Sequence, residues 1–310
     1  MTDERSKSLD LLWYLTARGT FGVLSILPLP VAARIGEGLG RVVYKRDARH
    51  RRIGMTNLRF AFPDESDEWR ADVLERSYAQ IGAHIAEVSR LDGVSRTSVR
   101  RRVSYQEGLG VEHYRRAHEE GRGVLFVTAH IGSWEMLSLA HAALEHPLSV
   151  IVRPLDNVYL DRWLTRIRSQ FGNRVIPKQG SLREILRVLR RGEDVGLLID
   201  QNVQEKDGVY VPFFGRTACT TASAALLAMK TGAPVIPAFI VPAGLRGHYR
   251  IRFYPPLHAE MTGCRAEDIV HNTTRFNSFI EQVIREYPHC WLWGHRRFRT
   301  QPDGRDPYET

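Results

Sequence analysis

An α/β fold with a central mixed, largely parallel sheet flanked by helices is what this 310-residue chain predicts, on three observations. Short apolar runs alternate with longer amphipathic ones from about Val124 onward, no internal repeat or low-complexity stretch breaks that order, and 43% hydrophobic content suffices for a substantial core. Disordered and fibrous classes are excluded on the same grounds.

Residues 11–31, LLWYLTARGTFGVLSILPLPV, form the first apolar segment, with aromatics at Trp13, Tyr14 and Phe21. Arg18 interrupts it, and the charge-free stretch 19–33 contains Pro28 and Pro30 and is shorter than the ~20 residues of a spanning helix. A membrane-associating helical segment, interfacial or re-entrant, is therefore expected, with a single N-terminal anchor as the weaker form. The alternative is a buried first helix followed by a solvated loop. Asp3, Glu4 and Asp10 precede the run and no small-residue cleavage site closes it, which argues against a secretory signal. RVVYKRDARHRR follows, with six Lys/Arg against one Asp in residues 41–52, and reads as a basic patch for an anionic membrane surface. The net charge of +9 and pI of about 9.7 also favour an anionic partner. Nucleic acid is not that partner, since helix-turn-helix, RNP-like and zinc-finger patterns are all missing. Cys219, Cys264 and Cys290 are odd in number and show no CxxC spacing, so neither a disulfide framework nor a zinc site is expected. The expected organisation is a membrane-associating helix and basic patch over residues 1–50, then an α/β domain over residues 51–310.

The remaining elements follow in order. GVLFVTA (123–129) is a buried strand, and WEMLSLAHAAL (134–144) a helix starting just after it. LSVIVRP (148–154) is a second strand. DNVYLDRWLTRIRSQFG (156–172) places Tyr159, Trp163, Ile167 and Phe171 on one helical face, with Asp156 as cap and Gly172 as stop. SLREILRVLRRG (181–192) repeats this pattern, with capping-box spacing at Ser181 and Glu184 and a stop at Gly192. DVGLLID (194–200) is a strand, TASAALLAMKTG (221–232) a small-residue helix, and APVIPAFIV (233–241) a further strand. His130, Arg153 and Asp200 each fall at the carboxyl end of a strand, where ligands of open α/β sheets bind.

His130 and Glu135 are five positions apart. In one regular helix they would lie about 140° apart. They meet only if His130 occupies the turn and Glu135 the first helical turn, with Gly132 allowing the bend and Ser133 as N-cap. Glu135 then holds one imidazole nitrogen while the other takes a proton from an alcohol, and helix-start amides face a developing oxyanion. The competing reading makes both ordinary residues at a strand end.

HIGSWE (130–135) resembles the H-x4-D/E motif of the lysophospholipid acyltransferase superfamily, specifically the branch of bacterial lipid A late acyltransferases, the lauroyl and myristoyl transferases. NLRFAFPD (57–64), IVRPLDN (151–157), DQNVQEKDGVYVPFFGRTACTTASAALLA (200–228) and WLWGHRRFRTQP (291–302) agree in the same order, so the resemblance covers nearly the whole chain. It implies a glycerolphosphate-acyltransferase-like domain and an O-acyltransferase with His130 as general base and Glu135 as its orienting partner. The acyl donor would be a thioester of acyl carrier protein or coenzyme A, a substrate, with no cofactor or metal required. The acceptor would be an anionic membrane glycolipid of the lipid A type, at the cytoplasmic face of the bacterial inner membrane. Arg153 would bind phosphate or oxyanion, or else be an ordinary ion-pair partner, and Asp200 and Gln201 would line the site, unless Asp200 caps the next helix or pins the loop. Phe213 and Phe214 would wall an acyl tunnel or plug the core, with Arg216 beside them among the substrate-binding candidates. His295, Arg296 and Arg297 read as a phosphate-facing cluster or a solvated basic surface, and His295 stays outside the catalytic set. Acyltransferases for phosphatidylinositol mannosides or lysophospholipids, and a non-enzymatic membrane-binding protein, are the competing functions. Arg18 and the two prolines depart from the anchor expected of the family.

Overall fold

The computed structural model describes residues 2–309, and of residues 2–7 the backbone alone. Five helices come first: α1 (Thr2–Ile26), α2 (Leu29–Arg46), α3 (Ala48–Ala61), α4 (Asp67–Val88) and α5 (Arg96–Arg102). β1 (Val103–Tyr105), α6 (Val111–Glu119), β2 (Leu125–Thr128), α7 (Trp134–Leu144), β3 (Leu148–Val152), α8 (Val158–Arg168), β4 (Arg174–Pro177), α9 (Leu182–Arg190) and β5 (Asp194–Leu198) then alternate. The hairpin β6 (Gly208–Phe213) and β7 (Arg216–Thr221) follows. The chain then runs through α10 (Ser223–Thr231), β8 (Val235–Pro242), β9 (Tyr249–Phe253) and α11 (Arg265–Glu286).

The main sheet has seven strands in the order β1-β9-β8-β2-β5-β3-β4, and β8 with β9 is its one antiparallel pair. This is the mixed, largely parallel sheet expected. Helices on both faces explain why its central strands read as continuous apolar runs. Leu125 and Val127 of β2 pack with α9, α10 and α11, whereas Phe126 between them packs with α6, α7 and α8.

The N-terminal helices depart from the alternative of a buried first helix followed by a solvated loop, because the basic run is helical in α2 and α3 and only part of α1 is covered. One face of α1 docks on α8: Phe21 stacks on Trp163 at 5.1 Å, and Tyr14 meets Tyr159 at 5.8 Å. Arg18, unexpected in an apolar run, lies over the Trp163 ring and pairs with Asp92 at 3.5 Å. The other face leaves Leu12, Trp13, Leu15, Val23 and Ile26 exposed. Among the described residues no helix is long and apolar enough to cross a membrane.

Glycine spacing fixes α2 against α4. A Cβ on Gly82 would come within 2.0 Å of the Gly36 carbonyl oxygen, and one on Gly40 within 2.1 Å of the Tyr78 oxygen, so the helix backbones touch. α3 spans residue 50, the expected domain boundary. In the basic run Arg51 caps α2 through the Tyr44 and Lys45 carbonyls, while Lys45, Arg46, Arg49 and Arg52 face outward.

Several caps differ from expectation. Asn157, not Asp156, caps α8 through the Tyr159 and Leu160 amides. Ser181 donates to the Lys178 carbonyl instead of forming a capping box, and α8 stops at Arg168, ahead of Phe171 and Gly172.

Candidate active site

β2 and β5 run parallel, Leu125 opposite Val195 and Thr128 opposite Leu198, so His130 and Asp200 face one another in the continuation of that register. Asp200 is buried, and three donors hold its carboxylate. His130 Nδ1 lies 2.9 Å from Oδ1, while the His130 backbone N–H and Trp291 Nε1 donate to Oδ2 at 2.9 and 2.8 Å. Burial alone would raise the Asp200 pKa, but the facing His130 and these donors outweigh it and lower the value to about 2. An ionised carboxylate only accepts, so Nδ1 carries the proton and Nε2 keeps its lone pair. Nε2 has no hydrogen-bond partner among the described residues and is not fully buried, the His130 side chain being 21% exposed. For His130, burial disfavours the imidazolium, yet the charge and hydrogen bond of Asp200 prevail and raise its pKa above 6.5.

The orienting partner expected of His130 was Glu135, and here the structure differs. Glu135 is in the first turn of α7, as expected, but its two oxygens accept from Arg168 Nε and Nη2 at 2.9 and 2.5 Å. This fork-to-carboxylate pair offsets the burial of Glu135 and lowers its pKa. Its charge still bears on the imidazole, through space rather than by a hydrogen bond. A strand-end aspartate can meet the ring edge-on, and the register places one directly opposite.

Gly132 has φ 61°, and a Cβ there would stand 2.1 Å from the Ile240 carbonyl oxygen, so the bend requires glycine. Ser133 takes the N-cap position, but its hydroxyl makes no capping bond. It donates to Glu87 Oε2 at 2.5 Å; that buried carboxylate also accepts from Tyr249 and pairs with Arg102. The turn bearing His130 is therefore pinned from below by a buried charge network.

His84 completes the surroundings of the pair. Its ring lies 4.1 Å from that of Trp134, and burial lowers its pKa to about 4, so it is neutral at physiological pH. His295, kept outside the catalytic set, accepts from the Asn202 N–H through Nε2 at 2.9 Å, and burial lowers its pKa to about 4 also. Arg297 overturns the expectation of a solvated or phosphate-facing cluster. It is fully buried, with Nη1 donating to the Cys219 carbonyl and its guanidinium 4.7 Å from the centroid of the Phe213 ring.

None of the other expected residues makes a side-chain hydrogen bond to the pair among the described residues. Arg153 is exposed and pairs loosely with Asp156 at 3.7 Å. Gln201 is half-buried beside Asp200. Phe213 and Phe214 are buried in an aromatic cluster with Phe62, Trp291 and Phe298. Arg216 is exposed, 4.0 Å over the ring of Phe60. Trp291, Arg168, His84 and Glu87 were not anticipated. Trp291 lies in the WLWGHRRF block already singled out, whereas Glu87, within a long amphipathic helix, carries no local signal.

A histidine at the carboxyl edge of a parallel sheet, with one nitrogen tied to a buried carboxylate and the other open, has the geometry to accept a proton. Residues 4–300 match the family model described as bacterial lipid A biosynthesis acyltransferase, and the chain belongs to that family and is an acyltransferase. It is 29% identical to the lipid A biosynthesis lauroyltransferase of Escherichia coli K12, over 94% of each chain. It is 30% identical to a lipid A biosynthesis acyltransferase of Haemophilus influenzae, over 91% of this chain and 88% of that one. With the palmitoleoyltransferase of Escherichia coli K12 the identity is 27%, over 90% and 88%.

Proposed function

We propose that this protein transfers a fatty acyl chain from a thioester donor to a hydroxyl of a lipid A-type glycolipid precursor, with His130 as general base. The observation that carries the reading is the His130–Asp200 pair, with Nδ1 bound and Nε2 open. Nε2 takes the acceptor's hydroxyl proton, the alkoxide adds to the thioester carbonyl, and the C–S bond breaks. The leaving thiolate recovers the proton from the imidazolium, which Asp200 stabilises in the interval. Acyl-acyl carrier protein or acyl-coenzyme A serves as donor, and the chemistry balances without a cofactor. The Trp134 and Glu135 N–H groups have no acceptor among the described residues and suit the developing oxyanion. Glu135 and Arg168 set the field around the imidazole, and Gln201 lines the acceptor side. Arg153 and Arg216, both exposed, would meet acceptor phosphates, and Phe213 and Phe214, packed with Trp291 and Phe62, would be the apolar residues nearest the acyl chain.

The same reading makes the domain glycerolphosphate-acyltransferase-like and places it on the cytoplasmic face of the inner membrane, lying on the bilayer. The exposed apolar faces of α1 and α2, the latter with Ile35, Leu39, Val42 and Val43, support insertion in the plane of the interface beside the basic run. Purified protein given acyl-carrier-protein or coenzyme A thioesters, with lipid A precursors, lysophospholipids and phosphatidylinositol mannosides as acceptors, tests the proposal by mass spectrometry. One acyl chain gained by a lipid A precursor, and lost with His130→Ala, is the expected result. Acylation of a lysophospholipid or mannoside alone refutes the acceptor, and an intact donor with every acceptor refutes the transfer.

A further inference from the structure

The amino ends of β2 and β5 carry a second histidine–aspartate cluster, at the opposite pole of the strands from His130. Asp194, the first residue of β5, is 1% exposed. Its Oδ1 accepts from the Val124 N–H at 3.0 Å and lies 3.2 Å from His118 Nδ1. Its Oδ2 accepts from the Tyr114 hydroxyl at 2.6 Å and lies 3.5 Å from His141 Nε2. His146, exposed in the connection between α7 and β3, stacks on His118 with ring centroids 4.4 Å apart and planes 16° apart. Its Nδ1 lies 2.7 Å from the Tyr114 oxygen. One donor atom each from His118, His146 and Asp194 lie within 4.8 Å of one another, and His118 is partly open to solvent.

We propose that His118, His146 and Asp194 bind a divalent first-row transition metal, zinc being the ion best suited, at the amino-terminal edge of the sheet and away from the acyl-transfer site. An ion pair with Asp194 needs only one imidazole. A second imidazole stacked on the first, its Nδ1 beside the same hydroxyl, adds a ligand and nothing to the ion pair. Two nitrogens and a carboxylate oxygen, with no thiolate, form the donor set of zinc and its neighbours. Tetrahedral zinc, with ligands at about 2.0–2.1 Å, holds its donor atoms roughly 3.3 Å apart, so the cluster has to contract. Rotation of the exposed His146 ring off Tyr114 supplies that movement. Tyr114 keeps its bond to Asp194 and His141 lies against the same carboxylate, which together orient the ligand. Solvent occupies the fourth position. The ion would tie the end of α6, the turn after α7 and the start of β5 together, giving it a structural role.

The test uses the full chain, stripped with chelator, then titrated with zinc by calorimetry and with cobalt by visible absorption. The expected result is one equivalent of zinc, a melting temperature that rises with zinc concentration, and visible cobalt bands of a low-symmetry site. His146→Ala and His118→Ala should each weaken zinc binding at least tenfold and abolish the thermal shift, with acyl transfer unchanged. His271→Ala, at an exposed histidine beside Glu260, should leave the binding intact. No zinc uptake by the wild type, or an unaltered affinity in His146→Ala, overturns the proposal. Because His146 is exposed, that variant decides the matter even if His118→Ala fails to fold.

Discussion

The two ends of the β2–β5 pair are built to one plan and differ in what surrounds the carboxylate. Each has a buried aspartate on the β5 line, Asp194 and Asp200, accepting a backbone N–H from the facing residue of the β2 line and set against a histidine. Their six-residue spacing puts both on the same sheet face, the one covered by α7. At the carboxyl end one imidazole meets the carboxylate and its second nitrogen is open. At the amino end three imidazoles and a tyrosine hydroxyl surround the carboxylate, and the His118 and His146 Nδ1 atoms both lie near that hydroxyl. A His–Asp contact is therefore not by itself a catalytic signature. What distinguishes the proposed catalytic end is an open imidazole nitrogen at a strand's carboxyl end, beside a helix start and a Glu–Arg pair.

The sharpest test of this difference is to remove one histidine from each end. His130→Ala should lower kcat/KM for acyl transfer by about 10²–10⁴, the range of a lost general base, while His118→Ala should leave it at the wild-type value. Equal losses in the two variants would break the comparison.

Asp200→Asn should follow, with a loss of about 10²-fold or more, because the amide no longer enforces the tautomer that leaves Nε2 unprotonated. The pH profile provides the decisive sign. Asp200 raises the His130 pKa against the effect of burial, so in the wild type the acid limb of kcat/KM falls through a value above 6.5. Without the carboxylate, burial prevails and the limb moves to lower pH. A limb that stays in place would mean that Asp200 does not set the protonation of the base.

Glu135→Ala should cost less activity than His130→Ala, since Glu135 makes no hydrogen bond to the imidazole. Its stability cost is larger, about 3–5 kcal/mol, because Arg168 is left buried and unpaired. Removing Arg168 as well should recover much of this in chemical denaturation. Additive losses in the double variant would show that the two side chains do not act as a pair.

How much of this was legible in the sequence depended on whether the information was local. Trp134–Leu144 appears at the residues its pattern marks, and the central strands fall within a residue or two, because apolar runs bounded by turns leave little choice. Gly132 was readable as a bend for the same reason. The partner of His130 was not, because nearness in sequence favoured Glu135 while a parallel register brought up Asp200 from 70 residues away. Arg18 illustrates the same limit: in sequence it breaks a membrane segment, and in the fold it bonds the first helix to Asp92 and Trp163. DVGLLID, an apolar run with an aspartate at each end, contained the whole comparison, but only the strand order of the sheet shows that both carboxylates meet β2.

The smallest expected effect belongs to Asp194→Asn. Asp194 is buried with four polar partners, and the histidine and tyrosine contacts hold its carboxyl well below the usual carboxylate range in spite of burial. Losing the charge while keeping the shape should cost about 1.5–3 kcal/mol, the worth of hydrogen bonds to an ionised group. This stability is present above the unfolded carboxyl value near 3.8 and is lost as pH falls through the lower folded value. The variant should therefore show a reduced midpoint in urea at neutral pH and a smaller loss than wild type on acidification. Acyl transfer per folded molecule should be unchanged, since the rigid β5 strand separates this carboxylate from the reacting atoms. A fall in kcat matching that of Asp200→Asn would mean that the strand couples its two ends, and the division between a stabilising pole and a reacting pole would have to be abandoned.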